Sequence, residues 1–123
     1  MLARIAALVA GGALAAAPFH ATLTGSGHSP KANAKWNYLV RATDLQGKPL
    51  KATITTEIVD PFGGAHAVEF GDTHRLVKNF PFTGVFRDFI RFPTESKGLR
   101  LTVRVTVKAK GAQKVLTYWI QAK

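Results

Sequence analysis

The densest group of ionisable side chains lies between His66 and His74 and includes Asp72. Imidazole and carboxylate groups together can bind a divalent metal, and a strand running straight through this segment would place all three on one side. Val68 shares that side and is expected in the core, and Gly71 is expected to break the strand before Asp72. The sequence favours a polar strand end here, with a metal-binding protein or small extracellular enzyme as the alternative.

Other arrangements for catalysis do not occur in the sequence. The serines are Ser26, Ser29 and Ser96, and none has the strand-to-helix setting of a nucleophile elbow. The seven acidic residues are dispersed, so no carboxylate pair is indicated. Asp88 alternates with apolar residues and is expected to be a partly buried acceptor for Arg87, Arg91 or backbone amides. The chain has no cysteine, which excludes a disulfide scaffold, a thiolate zinc site and a thiol nucleophile. We therefore expect no catalytic residue, no metal and no cofactor.

The C-terminal part of the chain is strongly basic. The whole sequence has 17 Lys and Arg against 7 Asp and Glu, a formal charge of +10, and no acidic residue follows Glu95. The cations beyond it are Lys97, Arg100, Arg104, Lys108, Lys110, Lys114 and Lys123. Arg100, Arg104 and Lys108 recur at every fourth residue. A strand would present them in one row, with about 13 Å between neighbouring cations. This pattern predicts a basic strand face.

A basic face has two competing interpretations, a solvent face that keeps the protein soluble, which the sequence favours, and a binding surface for a polyanion. The candidate contact residues are Arg100, Arg104, Lys108, Lys110, Lys114 and Trp119. A two-residue hairpin loop at Gly111-Ala112 would place Arg104 opposite Trp119 as a cation–π pair of about 0.5–1 kcal/mol. The expected partner is an anionic cell-wall polymer or another extracellular protein. Nucleic acid is not expected, since there is no recognition helix or aromatic platform.

Two alternative roles for this surface remain open. A basic solvent face also keeps a small secreted protein soluble and blunts strand edges. Trp119 alternatively suggests a carbohydrate-binding module. The segment Phe80-Pro81-Phe82 is expected to plug the end of the core, and a docking loop is the alternative interpretation of two Phe residues around a Pro.

Alternating apolar and polar residues predict strands throughout residues 35–123. The predicted strands are Trp36–Ala42, Leu50–Ile58, Ala65–Phe70, Val85–Phe92, Leu99–Lys110 and Lys114–Gln121, with a short one near Arg75–Lys78. Turn residues separate them, and the connections are too short for crossover helices. One small domain is indicated by the length. The prediction is an all-β, single antiparallel two-sheet sandwich, immunoglobulin-like, with about seven strands.

The first 34 residues are expected to lie outside this domain. Met1 to Arg4 carries one positive charge, and an apolar run of 13 residues follows, as in a secretory signal peptide. About 20 residues are needed to span a bilayer, so a stable anchor is disfavoured. A helix packed on the domain is disfavoured because the stretch is not amphipathic. We predict a signal peptide over residues 1–15, cleaved after Ala15, and a flexible leader over 16–34 in which His20 and His28 are solvated. The mature charge would be 10 minus 1, or +9, and the protein would be secreted or associated with the cell envelope.

The segment from Trp36 to Ile58 carries a resemblance to a known family. A strand, the turn Asp44-x-x-Gly47-x-Pro49 and a second strand with alternating Thr and Ile resemble the opening hairpin of bacterial immunoglobulin-like domains of secreted and surface proteins. The similarity covers about a quarter of the mature domain. It implies an adhesive, spacer or accessory role without catalysis, and no family site residue can be transferred.

Overall fold

The computed structural model describes residues 17–123, so the proposed signal peptide and its cleavage site lie outside the described residues. The strands are β1 His20–Gly25, β2 Lys35–Thr43, β3 Lys51–Val59, β4 Ala65–Ala67, β5 Phe80–Thr83, β6 Val85–Arg91, β7 Arg100–Ala109 and β8 Ala112–Gln121. A 3-10 turn, Thr94–Ser96, precedes β7.

Two antiparallel sheets form the fold. One has the order β1-β2-β6, and the other has the order β4-β3-β7-β8, with β5 also paired to β3. Their facing sides enclose an apolar core that includes Trp36, Val40, Phe86, Val103 and Val105. The predicted all-β antiparallel two-sheet sandwich is confirmed, with eight strands in the described chain.

Strand β7 shows why the alternation in the sequence gives this fold. Leu101, Val103, Val105 and Val107 are buried, whereas Arg100 and the other polar residues of β7 lie on the opposite face. Successive side chains of a strand point to opposite faces, so a two-residue period leaves one side of the sheet apolar. The predicted faces of this strand are confirmed.

The segment predicted to be a flexible leader is instead part of the sandwich, which corrects the boundary drawn at residue 34. Strand β1 pairs with β2 from His20 opposite Thr43 to Gly25 opposite Tyr38. Phe19 is only 1% exposed and belongs to the core. Strand β1 is short and rich in Thr, so its alternation was too brief to be recognised in the sequence. Its stability comes from pairing with β2 and from burial of Phe19.

The chain between β4 and β5 also differs from the prediction. No strand forms near residues 75–78; the Val77 amide donates to the Val68 carbonyl (2.8 Å), and the Val77 carbonyl accepts from the Thr56 amide (3.0 Å). The loop is thus bonded to two different partners, and no ladder develops. Strand β4 ends at Ala67, before the positive φ of 53° at Gly71.

The Phe80-Pro81-Phe82 segment forms β5. Its two Phe side chains are partly buried against the core, with their rings 5.5 and 5.9 Å from the ring of Phe86. Proline at position 81 is tolerated because β5 lies at the sheet edge, where an amide donor can be absent. The segment packs as part of the core, in agreement with the favoured prediction.

The hairpin between β7 and β8 turns one residue earlier than predicted. Ala109 is opposite Ala112, so the loop is Lys110-Gly111, with φ values of 51° and 70°. A tight hairpin of this kind requires positive φ at both central residues. A loop at Gly111-Ala112 would impose that conformation on alanine, whose Cβ disfavours it. The register of the whole hairpin shifts accordingly.

Candidate polyanion-binding surface

The six predicted contact residues do not share one face. Arg100, Arg104 and Lys108 lie on the outer face of β7, as expected, and Trp119 lies on the outer face of β8. Lys110 is in the turn. Lys114 is opposite the buried Val107, so it projects from the core-facing side of edge strand β8. The basic row therefore consists of three cations and does not include Lys114.

The middle cation of this row is neutralised. Arg104 is opposite Glu57 of β3, and its Nη2 donates to the Glu57 Oε1 at 2.9 Å. Both side chains are partly exposed, so the pair adds at most a modest stabilisation. It nevertheless reduces the attraction of Arg104 for an external anion. The sequence did not indicate this pair, because Glu57 and Arg104 are 47 positions apart.

The cation over Trp119 is Arg100 and not Arg104, which is a second correction. The Arg100 guanidinium carbon lies 4.0 Å from the centre of the Trp119 ring, while Arg104 is opposite Thr117. Because the loop lies one residue earlier than predicted, every partner across the hairpin changes by two positions. The cation–π interaction was predicted correctly in kind, but with the wrong arginine.

A histidine also covers Trp119. The His28 ring stacks 4.0 Å from the Trp119 ring and 4.4 Å from the Tyr118 ring, and its Nδ1 donates to the Trp119 carbonyl at 2.6 Å. His28 was predicted to be a solvated residue of the leader, and this is corrected here. Arg100 and His28 both contact the indole, and Trp119 remains 43% exposed.

Four lysines gather where β7 turns into β8, and we call this group the lysine end: Lys48, Lys51, Lys108 and Lys110. Lys108 is opposite Thr53, so continuing the same register places Lys51 beside Lys110. All four side chains are exposed. Among residues 17–123 no carboxylate oxygen lies within 4.0 Å of any of these four ammonium groups.

A shallow groove runs into the lysine end. Its polar lining consists of Lys51, Thr53, Thr83 and Lys108, and Pro81 and Phe82 provide apolar walls. Two ammonium groups and two hydroxyls are hydrogen-bond donors suited to phosphate or carboxylate oxygens. The nearest acid is Asp44, whose carboxylate is turned toward the amides of its own turn, 2.9 Å from those of Gln46 and Lys48. Those amide hydrogen bonds, with smaller contributions from the Lys110 and Lys48 charges, lower the pKa of Asp44.

The candidate metal ligands do not converge. The His66 Nε2 lies 2.8 Å from Asp60, Asp72 accepts hydrogen bonds from Arg91 at 2.9 and 3.0 Å, and His74 lies 3.6 Å from Glu69. Each residue has a different partner. Between residues 17 and 123, no three His, Asp or Glu side chains are placed to hold a metal ion together.

Asp88 has a structural setting that the sequence indicated only in part. It was expected to be a partly buried acceptor for an arginine or a backbone amide. Its Oδ1 accepts the Gly71 amide at 2.8 Å, and its Oδ2 accepts the Tyr38 hydroxyl at 3.1 Å. The Tyr38 hydroxyl also lies 3.0 Å from the Thr56 hydroxyl of the other sheet. The expected arginines, Arg87 and Arg91, lie on the outer face of β6.

Comparison with protein-family models and with curated proteins finds no match to this chain. Among residues 17–123, no helix has the length and apolar character needed to cross a membrane.

Proposed function

We propose that this protein is a secreted, non-catalytic module that binds anionic cell-envelope polymers through the lysine end. The observation that carries the proposal is the lysine end: Lys51 and Lys108 line a groove with hydroxyl donors, and Lys48 and Lys110 are exposed on the neighbouring turns. Arg100 is committed to Trp119 and Arg104 to Glu57. The lysines are the cations best placed to meet an external polyanion.

The distribution of acids supports the same surface. Glu57 and Asp72 are paired with arginines, Asp60 with His66, and Asp88 is buried, so these acids do little to weaken the positive potential at the lysine end. The Lys110 and Lys48 charges do act on Asp44, so one carboxylate stands against four lysines there. Several cations along a groove attract a repeating anionic chain better than a single small anion, because adjacent charges act together.

The test uses poly(glycerol phosphate) as the anionic polymer and neutral dextran as the uncharged polymer. We expect the wild-type protein to bind the first and not the second, with affinity that falls as salt is raised. The triple variant Lys51→Gln, Lys108→Gln, Lys110→Gln should lose about tenfold or more in affinity, with a flatter dependence on salt.

A matched control separates a local site from overall charge. The variant Lys35→Gln, Arg41→Gln, Arg87→Gln removes the same charge from the outer face of the other sheet, where these three side chains are exposed. Its affinity should stay within about twofold of wild type. Equal losses in the two triple variants, or no binding of poly(glycerol phosphate) at low salt, would overturn the proposal.

A further inference from the structure

The turn between β3 and β4 presents an aromatic side chain to solvent. Phe62 is 94% exposed. The turn below it is held by Asp60, whose Oδ1 accepts the amides of Phe62 (2.8 Å) and Gly64 (3.0 Å) and whose Oδ2 lies 2.8 Å from the His66 Nε2. A Cβ at position 64 would lie 2.6 Å from the Asp60 Oδ2, so glycine is required there. The exposed ring is therefore carried on a well-defined turn.

Two more large apolar side chains are exposed at the same end of the sandwich. Val59 is opposite Thr102, and Thr102 is opposite Trp119. Strand β3 ends at Val59 and β7 begins at Arg100, so Phe62, in the turn after β3, and Leu99, just before β7, lie at the same end of the sandwich. Leu99 is 42% and Trp119 43% exposed. We call Phe62, Leu99 and Trp119 the apolar end; it lies at the opposite end of β7 from the lysine end.

Cations surround the apolar end. Arg100 lies over Trp119, and Lys31, Lys97 and Lys123 line one depression together with Asn33 and Thr94. Asp60 is bonded to its own turn and to His66, Asp72 is paired with Arg91, which also donates to the Asn33 carbonyl, and Glu95 is exposed. With Arg91 included, five cations against these three acids leave this end with a net positive charge.

We propose that the apolar end docks on the surface of an anionic lipid bilayer. Phe62 and Leu99 would enter the boundary between headgroups and acyl chains, Trp119 would lie at headgroup level, and the lysines would face lipid phosphates. Aromatic side chains favour this boundary, and juxtaposed Lys and Arg are attracted to anionic headgroups. The combination of exposed rings and cations identifies the partner by its chemistry.

The charge at this end also distinguishes a membrane from a second copy of the chain. Two copies meeting through their apolar ends would bring two basic surfaces together, which is unfavourable. An anionic bilayer complements both the apolar side chains and the cations. Strand β7 has ten residues, so the two ends are about 33 Å apart at about 3.3 Å per residue. The protein could therefore hold a lipid surface and a polymer at once, although the docking proposal does not depend on polymer binding.

The experiment is flotation of the purified protein with vesicles of phosphatidylcholine containing phosphatidylglycerol, and with phosphatidylcholine alone. We expect binding to the anionic vesicles and a blue shift of tryptophan fluorescence. Phe62→Ser should lower the partition coefficient about tenfold or more, because an apolar ring no longer leaves water. Lys31→Gln, Lys97→Gln, Lys123→Gln should weaken binding and its dependence on salt.

The matched control for the apolar contact is Leu45→Ser. Leu45 is 56% exposed on the turn between β2 and β3, in which Asp44 accepts the amides of Gln46 and Lys48 in the same way that Asp60 does in its turn. It lies at the lysine end and should leave vesicle binding within about twofold of wild type. Absence of binding to anionic vesicles, or equal losses from Leu45→Ser and Phe62→Ser, would overturn the proposal.

Two further measurements separate this proposal from its alternatives. Concentration-dependent dimers in light scattering that disappear with Phe62→Ser, without vesicle binding, would assign the apolar end to contacts between copies and overturn membrane docking. Phe62→Ser should keep its affinity for poly(glycerol phosphate), whereas Lys51→Gln, Lys108→Gln, Lys110→Gln should keep its affinity for vesicles. The failure of one proposal is thereby distinguishable from the failure of the other.

Discussion

The Tyr38 hydroxyl donates a hydrogen bond to the buried Asp88 carboxylate, with 3.1 Å between the two oxygens. A phenol has one proton, so Tyr38 accepts from the Thr56 hydroxyl at 3.0 Å. Tyr38 and Asp88 lie opposite each other in β2 and β6, and Thr56 belongs to β3. This chain of polar groups joins the two sheets through an otherwise apolar core. Burial raises the pKa of Tyr38, which keeps the phenol protonated as the donor.

The Asp88 carboxyl should make stability depend on pH. Burial raises its pKa above the ordinary value of 3.8, although hydrogen bonds from the Phe89 amide, Tyr38 and the Gly71 amide act in the opposite direction. The folded state thus binds this proton more tightly than the unfolded state. The resulting stabilisation is complete below pH 3.8 and is lost as the pH rises through the raised pKa.

The comparison that isolates this effect is wild type against Asp88→Asn. We expect the urea midpoint of wild type, relative to that of Asp88→Asn, to fall as the pH rises above 3.8 and through the raised pKa of Asp88. Asp44, Asp60 and Asp72 have lowered pKa values, so their contribution to stability is lost as the pH falls. Both proteins contain these three residues, so their contribution cancels in the comparison. A constant difference across this range would contradict the assignment.

Removing the Tyr38 hydroxyl should destabilise the protein. Tyr38→Phe leaves the Asp88 Oδ2 and the Thr56 hydroxyl without this partner inside the core. A buried polar group left unsatisfied costs about 1–3 kcal/mol. Urea unfolding measures the loss, and Thr56→Val, which keeps the Tyr38–Asp88 bond, should cost less. An unchanged midpoint in Tyr38→Phe would show that water or another group replaces the hydroxyl.

The first strand should be essential for folding although it lies in a polar stretch of sequence. Phe19 is 1% exposed, next to the start of β1, and truncating a buried Phe costs about 3–5 kcal/mol. Phe19→Ala should therefore lower the thermal midpoint strongly. Phe62→Ala is the matched control, because Phe62 is exposed, and it should change stability by less than about 0.5 kcal/mol. Similar effects of the two substitutions would show that Phe19 is not in the core.

Lys114 should protect the edge of the larger sheet. It projects from the core-facing side of β8, and a charge in that position discourages pairing with another strand. The end of β8 is already covered, since the amides of Gln121 and Lys123 donate to the carbonyls of His28 and Pro30. Lys114→Val should increase self-association in light scattering. Gln113→Val, on the outer face of the same strand, should remain like wild type, and a monomeric Lys114→Val would remove this role.

Local pattern was sufficient where a strand is long and strictly alternating. Strand β7 was predicted with its correct faces because Leu101, Val103, Val105 and Val107 alternate with polar residues without interruption. The predicted strand near residues 75–78 was wrong, since its backbone bonds to different partners. Strand β1 was missed because six residues rich in Thr and Gly contain little periodic signal, and their burial depends on a neighbouring strand.

In the candidate site, too, some features could be predicted from the sequence and others depend on contacts between distant strands. The excess of cations after Glu95 is a property of composition, so the sequence was sufficient to predict a basic C-terminal part. The sequence did not show which cations remain available, because Arg104 is paired with Glu57 from a strand distant in the chain, and Arg100 lies over Trp119 only because the hairpin loop is one residue earlier than predicted. Lys48 and Lys51 were not among the predicted contacts; the pairing of β3 with β7 brings the start of β3, and the turn before it, to the end of β7 that carries Lys108.

The all-β class, the faces of the long strands and the overall positive charge follow from the amino-acid sequence. These depend on side-chain alternation, turn residues and composition, which are local or additive properties. Three features follow from the folded arrangement: His28 stacks against Trp119 and Tyr118, Tyr38 joins Asp88 to Thr56, and lysines and exposed rings occupy opposite ends. Such relationships depend on strand register and sheet packing, where a shift of one residue exchanges every partner.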